Sequence, residues 1–235
     1  MKHVLIFAAI LMINLSCDPK TITDAISGSG TAVTEQEVAR GLKEALTQGV
    51  VKGASELAKE NGYLDSPYKI LLPEEARKIA DKLKVVPGFN NVENEITLRM
   101  NRAAERAASS ARPIFTNAIQ SMTIKDAWNI LRGEDDAATR YLKSTTYSPL
   151  YNSFQPEILE ALNEVNAVDY WERAVNKYNS LPFVTEMNPR LDDYVTEKAL
   201  VGLFSKIEIE EGKIRENPVA RTSDLLKRVF AKQDD

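Results

Sequence analysis

Segment 189–217 constrains the fold more than any other part of the sequence. It has the length of a long helix. Its apolar residues point in nearly every direction around the helix axis: Leu191, Tyr194, Val195, Leu200, Val201, Leu203, Phe204 and Ile207. Because a helix that is apolar all round is buried, the segment predicts a fold built around it. From Glu208 onward the segment is charged, and we expect that end to project into solvent.

The rest of the chain contains residue patterns that typically start or stop helices. Thr34-x-x-Glu37 has the capping-box pattern, Thr123-x-x-Asp126 has a similar one, and Asn61-Gly62 and Gly133 are typical helix stops. The one alternating run, 206–210, lies in a helical context. The sequence therefore predicts an all-α protein, a single-domain irregular helical bundle with a buried long C-terminal helix.

Three prolines are expected to interrupt the helical patterns. Pro113 falls inside a long pattern over 91–122, so we expect a kinked helix there. Pro149 and Pro156 are expected to bracket an irregular segment.

The first predicted helix has a face of mostly small residues. Ala45, Gly49 and Gly53 follow Val38 and Leu42 along it. Glycine inside a helix costs about 1 kcal/mol relative to alanine. We therefore expect this face to serve the close approach of a partner helix.

The N-terminal residues read as an export signal. Lys2 precedes an apolar run over 4–15, and the polar chain begins directly after it. Twelve residues of helix span about 18 Å, which is short of the roughly 30 Å of a bilayer core. Residues 1–16 are therefore predicted to be a signal peptide.

Cys17 is the predicted site of lipidation. Asn14-Leu15-Ser16-Cys17 resembles a bacterial lipobox, although Asn and Leu depart from the usual pattern at their positions. Two acyl chains would anchor the protein to a membrane of the cell envelope. The alternatives are a periplasmic or secreted soluble protein and an uncleaved chain. After the anchor we predict a flexible tether (17–33), a helical domain (34–230) and a polar tail (231–235).

Composition excludes several classes of site. The 235 residues include one Cys and one His, so an intramolecular disulfide and a zinc site of His and Cys ligands are ruled out. His3 lies in the predicted signal peptide, so the exported domain lacks the imidazole of a Ser-His-Asp triad. The formal net charge of −4 argues against a nucleic-acid partner.

Arg99, Arg102 and Arg106 form a basic stripe on one predicted helix. Arginine matches the geometry of phosphate and carboxylate groups, so the stripe is a candidate anion or headgroup site. The alternative is a solvated face with local ion pairs, such as Glu95 with Arg99.

A second candidate region combines aromatic and ionisable residues: Asp126, Trp128, Arg140 and Tyr141. These side chains could line a cavity between helices, or they could belong to the core and its edge. The nearby acids 134–136 lack the spacing of a calcium loop. We predict no metal site and no cofactor.

Four segments resemble one bacterial family of exported helical proteins, the domain-of-unknown-function family four-one-nine-seven. They are Gly41-Leu42-Lys43-Glu44-Ala45-Leu46, Asn101-Arg102-Ala103-Ala104-Glu105, Asp136-Ala137-Ala138-Thr139-Arg140-Tyr141-Leu142 and Pro218-Val219-Ala220-Arg221-Thr222. The resemblance covers about 34–230. It implies an exported, mostly helical envelope protein, with no catalytic residues to transfer.

Two functions remain open from sequence. The first is a lipid-anchored envelope protein that acts by binding a protein partner or an amphiphilic ligand. The second is a hydrolase-type enzyme that uses carboxylate, Tyr and Arg groups without His. A pocket with two carboxyl groups of raised pKa would favour the enzyme.

Overall fold

The computed structural model describes residues 33–83, 91–164, 166–179, 182–183, 186, 188 and 190–231. Those residues form nine α-helices, one 3₁₀ turn (Pro218–Ala220) and no strand, which confirms the predicted all-α single domain. The helices are α1 Glu35–Leu57, α2 Glu74–Leu83, α3 Val92–Ala108, α4 Ala111–Ser121, α5 Ile124–Leu131, α6 Ala137–Asn163, α7 Ala167–Asn179, α8 Leu191–Glu216 and α9 Asp224–Phe230. The predicted signal peptide and Cys17 lie outside the described residues, as does most of the predicted tether.

Helix α8 is the centre of the bundle, as its apolar circumference predicts. It packs chiefly against α6 and α1, with further contacts to α3 and α7. Val195, Ala199, Leu200 and Leu203 along it are fully buried. The prediction of a buried long C-terminal helix is confirmed.

The charged end of α8 does not project into solvent, and that prediction is wrong. Glu210, Glu211 and Arg215 are all buried. Lys52 reaches Glu210 from α1 at 2.8 Å, and Arg215 donates to the carbonyl of Ile130 at 2.9 Å. These charges are buried because other helices supply their partners.

Helix α6 runs unbroken through Pro149 and Pro156, so the predicted irregular segment is also wrong. Both prolines are exposed, on the solvent side of the helix. There, water can reach the carbonyl groups that lose their N–H donors. The opposite face buries a residue every four positions: Ala138, Leu142, Thr146, Leu150, Phe154, Ile158 and Leu162. Burial of this stripe outweighs the cost of the two prolines.

Pro113 lies in the first turn of a new helix rather than at a kink. Helix α3 ends at Ala108, and α4 begins at Ala111. The hydroxyls of Ser109 and Ser110 donate to carbonyls of the last turn of α3 at 2.7 and 2.8 Å. The sequence 91–122 therefore forms two helices and not one kinked helix. Proline is tolerated at this place because the N–H groups in the first turn of a helix have no partner within the helix.

The small face of α1 is used for close helix packing, as predicted. A Cβ atom on Gly53 would lie 3.8 Å from the Cα of Ile207 in α8. A Cβ atom on Gly41 would lie 2.8 Å from a methyl of Val229 in α9. The glycines therefore bring α8 and α9 close to the backbone of α1.

Candidate functional site

Two arginines of the predicted basic stripe form ion pairs at the protein surface. The Nε of Arg99 lies 3.0 Å from Glu95, one turn earlier in α3. Arg106 reaches across to α6, where it contacts carboxylates on successive turns: Glu157, Glu160 and Glu164. Both arginines are thus already neutralised by carboxylates of the chain, and Arg106 joins α3 to α6.

Arg102 supports the loop that follows α1. It binds the carboxylate of Glu105 at 2.6 Å, and this hydrogen bond raises the pKa of the guanidinium. The buried Glu105 carboxylate accepts the backbone N–H groups of Tyr63 and Leu64 at 3.1 and 3.2 Å. The pair therefore fixes loop backbone to α3.

Asp126 and Arg140 have local structural partners. Asp126 completes a capping box at the start of α5 by accepting the N–H and the hydroxyl of Thr123, and these bonds lower the pKa of Asp126. Arg140 lies 3.0 Å from Asp136, one turn earlier. Burial, together with the nearby Asp126 carboxylate, raises the pKa of the Tyr141 phenol.

Trp128 stands apart from these pairs. The guanidinium of Arg132 lies over its ring at 4.4 Å, and its buried Nε1 lacks a hydrogen-bond partner among the described residues. Of the seven candidate residues, Asp126 and Tyr141 lie near each other, whereas the four arginines bind separate carboxylates. The structure does not gather the seven into one pocket.

A surface cleft lies elsewhere, between loop 67–71 and one face of α8. Its volume is about 450 Å³. The side chains that define its chemistry are Tyr68, Lys69, Leu71, Tyr194, Lys198 and Val201. We call this cleft the α8 groove.

Hydrogen bonds hold the loop wall of the groove in place. The side-chain amide of the buried Asn101 donates to the Ile70 carbonyl at 2.8 Å, and its oxygen accepts the Ile70 N–H at 2.8 Å. The Tyr194 hydroxyl donates to the carbonyl of Leu71 at 2.9 Å. The wall is therefore fastened to both α3 and α8.

Gly202 sets the depth at which the loop packs on α8. A Cβ atom there would lie 3.0 Å from Tyr63 and 3.1 Å from Tyr68. The fully buried Tyr63 also donates its hydroxyl to the carbonyl of Ala199 at 2.7 Å. Gly202 was the available sequence signal, because a glycine inside an apolar helix often marks a close approach.

The groove combines exposed apolar and cationic side chains. Leu71 is 47% exposed and Val201 is 57% exposed. The Nζ of Lys198 lies 5.6 Å from the ring centroid of Tyr194. Burial raises the pKa of the Tyr68 phenol, so this hydroxyl stays protonated at neutral pH and able to donate. None of the residues that line the groove carries a carboxylate.

A second cavity lies inside the bundle, between α1 and the end of α8. It has a volume of about 20 Å³ and is lined by apolar side chains together with Glu211 and Arg215. That volume holds about one water molecule. It is therefore too small for an organic ligand.

The described residues contain neither a cluster of metal ligands nor a membrane-spanning helix. Within the described ranges, no three His, Cys, Asp or Glu side chains are grouped so that they could hold a metal ion. None of the helices described is long and apolar enough to cross a bilayer.

The fold and the groove define a class: a single-domain all-α protein with a surface cleft of small-molecule size. The chain belongs to the family described as protein of unknown function (DUF4197), whose model matches residues 32–231. This match confirms the family that the sequence resembles. Comparisons with curated proteins and with solved structures find no match.

Proposed function

We propose that this chain is a lipid-anchored binding protein of the bacterial cell envelope that holds a small amphiphilic molecule in the α8 groove. The observation that carries this proposal is the groove itself. Its volume of about 450 Å³ lies within the usual range for ligand sites, about 300–1,000 Å³. Leu71 and Val201 leave apolar surface open to solvent inside it.

A small ligand fits the groove better than a folded protein partner does. A stable protein interface covers about 800 Å² and about 20–30 residues on each partner. The groove is lined by ten residues, so its surface is much smaller than such an interface. The mixture of apolar and charged side chains matches a molecule with an apolar part and a polar head.

The hydrolase alternative receives less support from the carboxyl groups. A carboxyl group that acts as a general acid near neutral pH needs a raised pKa. Among the described residues, four carboxyl groups instead have a pKa below the ordinary value: Glu37, Asp126, Asp192 and Glu210. These groups act in helix caps and ion pairs. We therefore favour binding over catalysis.

The anchor is proposed from the sequence. The apolar run 4–15 ends just before Cys17, and the chain holds no other thiol. Two acyl chains give stable membrane attachment where one does not. The groove would then work close to a membrane surface, where amphiphiles are concentrated.

Fractionation of cells tests the anchor. Cys17→Ser should move the protein from the membrane to the soluble fraction and abolish incorporation of labelled palmitate. Ser29→Ala, in the predicted tether, should change neither. Continued membrane attachment of the Cys17→Ser protein would contradict the lipid anchor.

Native mass spectrometry tests the binding function. The protein purified from its own cells should carry a bound small molecule, and organic extraction should release it. Val201→Asp should lose that mass, because it places a charge on the apolar surface of the groove. If neither wild-type protein nor its extract contains a ligand, and cross-linking in cells captures none, the binding function is wrong.

A further inference from the structure

We infer that the α8 groove binds a single-chain anionic amphiphile, with its acidic head between Lys69 and Lys198 and its chain against Leu71 and Val201. This inference rests on the proposed function and adds to it the charge and the shape of the ligand.

The charge of the ligand follows from the two lysines. Both are exposed, and neither forms an ion pair with a carboxylate of the described residues. The half-buried Lys206, on the same helix as Lys198, is by contrast neutralised by Glu56 and Glu210. Two unneutralised ammonium groups beside apolar surface complement an anion and would repel a cation.

The position of the chain follows from the exposed apolar residues. The described residues include six large apolar side chains that are exposed, and two of them line the groove: Leu71 from the loop wall and Val201 from α8. Ile209 is also exposed on α8, but it does not line the groove. The α8 groove therefore has both apolar surface and lysines, and an amphiphile needs the first for its chain and the second for its head.

The volume of the groove favours a single-chain ligand. It is about 450 Å³, in the lower part of the usual range for ligand sites, about 300–1,000 Å³. Dodecanoate has several times fewer non-hydrogen atoms than a diacyl phospholipid. The groove thus fits a free single-chain molecule better than a bilayer lipid.

Calorimetric titration of the full chain tests the inference. Every protein carries Cys17→Ser, so that no acyl chain of its own competes with the probes. The probes are dodecanoate, dodecanol and dodecyltrimethylammonium, each below its critical micelle concentration. We expect dodecanoate to bind about tenfold more tightly than dodecanol, because both lysines act on its head, and the cation to bind more weakly still.

Matched variants assign the binding to the groove. Val201→Asp should weaken dodecanoate binding by at least about tenfold, while Ile209→Asp on the same helix should leave it within about twofold. Lys69→Gln and Lys198→Gln should each weaken it by about two- to fivefold, whereas the exposed Lys143→Gln should not. Circular dichroism checks that each variant is folded.

The outcomes separate this inference from the proposed function. Equal binding of dodecanoate and dodecanol, lost in Val201→Asp, would overturn the anionic ligand and leave an amphiphile site. Binding to phosphatidylglycerol vesicles but not to monomeric dodecanoate would overturn the single-chain ligand. Failure of all probes and vesicles to bind would overturn the inference together with the proposed groove function.

Discussion

Glu211 of α8 caps the N-terminus of α6 by accepting the backbone N–H of Thr139 at 2.8 Å. The same carboxylate accepts the Ala138 N–H at 3.0 Å and the Thr139 hydroxyl at 2.8 Å. Asp136, at the N-cap position, makes no side-chain capping bond. The first turn of α6 therefore obtains its hydrogen-bond acceptor from another helix. Arg215 lies 2.9 Å from Glu211 and balances its charge.

Glu211→Ala should lower the free energy of unfolding by about 3–5 kcal/mol. The substitution leaves Arg215 buried without its carboxylate partner, and it leaves the N–H groups of Ala138 and Thr139 without their acceptor. Urea denaturation followed by circular dichroism measures the change. Glu208→Ala, at an exposed position of the same helix, should cost less than about 0.5 kcal/mol. Equal losses for the two variants would show that Glu211 is not a buried cap.

Acid should destabilise the protein through Glu210. Burial raises the pKa of this carboxyl, but hydrogen bonds from Lys213 and Lys52 outweigh burial and hold the pKa below its ordinary value of 4.5. Because the folded-state pKa is the lower one, the ionised group stabilises the fold above about pH 4.5, and this stability is lost as the pH falls through the folded-state pKa.

A urea series from about pH 7 to pH 3 tests this dependence. Glu210→Gln should be less stable than wild type at pH 7, and the difference should shrink as the pH falls below about 4. A constant difference across the series would contradict a role for the charge of Glu210.

Two glycines in helices should respond oppositely to alanine. Gly212→Ala should raise the free energy of unfolding by up to about 1 kcal/mol, because alanine favours the helix and a Cβ atom there would meet nothing within 4 Å. Gly41→Ala has the same helical advantage but would press on Val229 in α9 at 2.8 Å. We expect it to be clearly less stable than Gly212→Ala in thermal unfolding. Similar midpoints for both variants would contradict close packing of α9 on α1.

Arg106→Gln should cost less than about 1 kcal/mol in low salt, and nearly nothing in about 1 M salt. Its ion pairs with Glu157 and Glu160 are exposed, so salt screens them. Urea denaturation at both salt concentrations measures this.

The Arg106→Gln variant should also bind dodecanoate as tightly as the unsubstituted protein does. A large loss of ligand binding would instead place the ligand at the basic stripe.

Structural features that depend only on residues close together in the chain could be predicted from sequence. The Thr34 hydroxyl accepts the N–H of Glu37, and the Glu37 carboxylate accepts the N–H of Thr34, so both halves of this cap lie within four residues. The apolar circumference of α8 likewise required no knowledge of its partners. The continuity of α6 could not be predicted, because it depends on the burial of one face against α3 and α8, which outweighs two prolines.

In the candidate site, too, a local contact could be predicted from sequence and a contact between distant segments could not. Arg99 with Glu95 was foreseen as a local pair because the two residues are four positions apart on one helix. The α8 groove was not foreseen, because Leu71 and Val201, which both line it, come from distant segments of the chain.

The sequence by itself determined the helical class of this protein, the caps at several helix starts and its family. These follow from the period of apolar residues and from caps that act over a few positions. Tertiary structure alone decided that the charged end of α8 is buried, that Glu211 caps α6, and where the groove opens. Each of these depends on which helices meet, and therefore on atoms that are far apart in the chain.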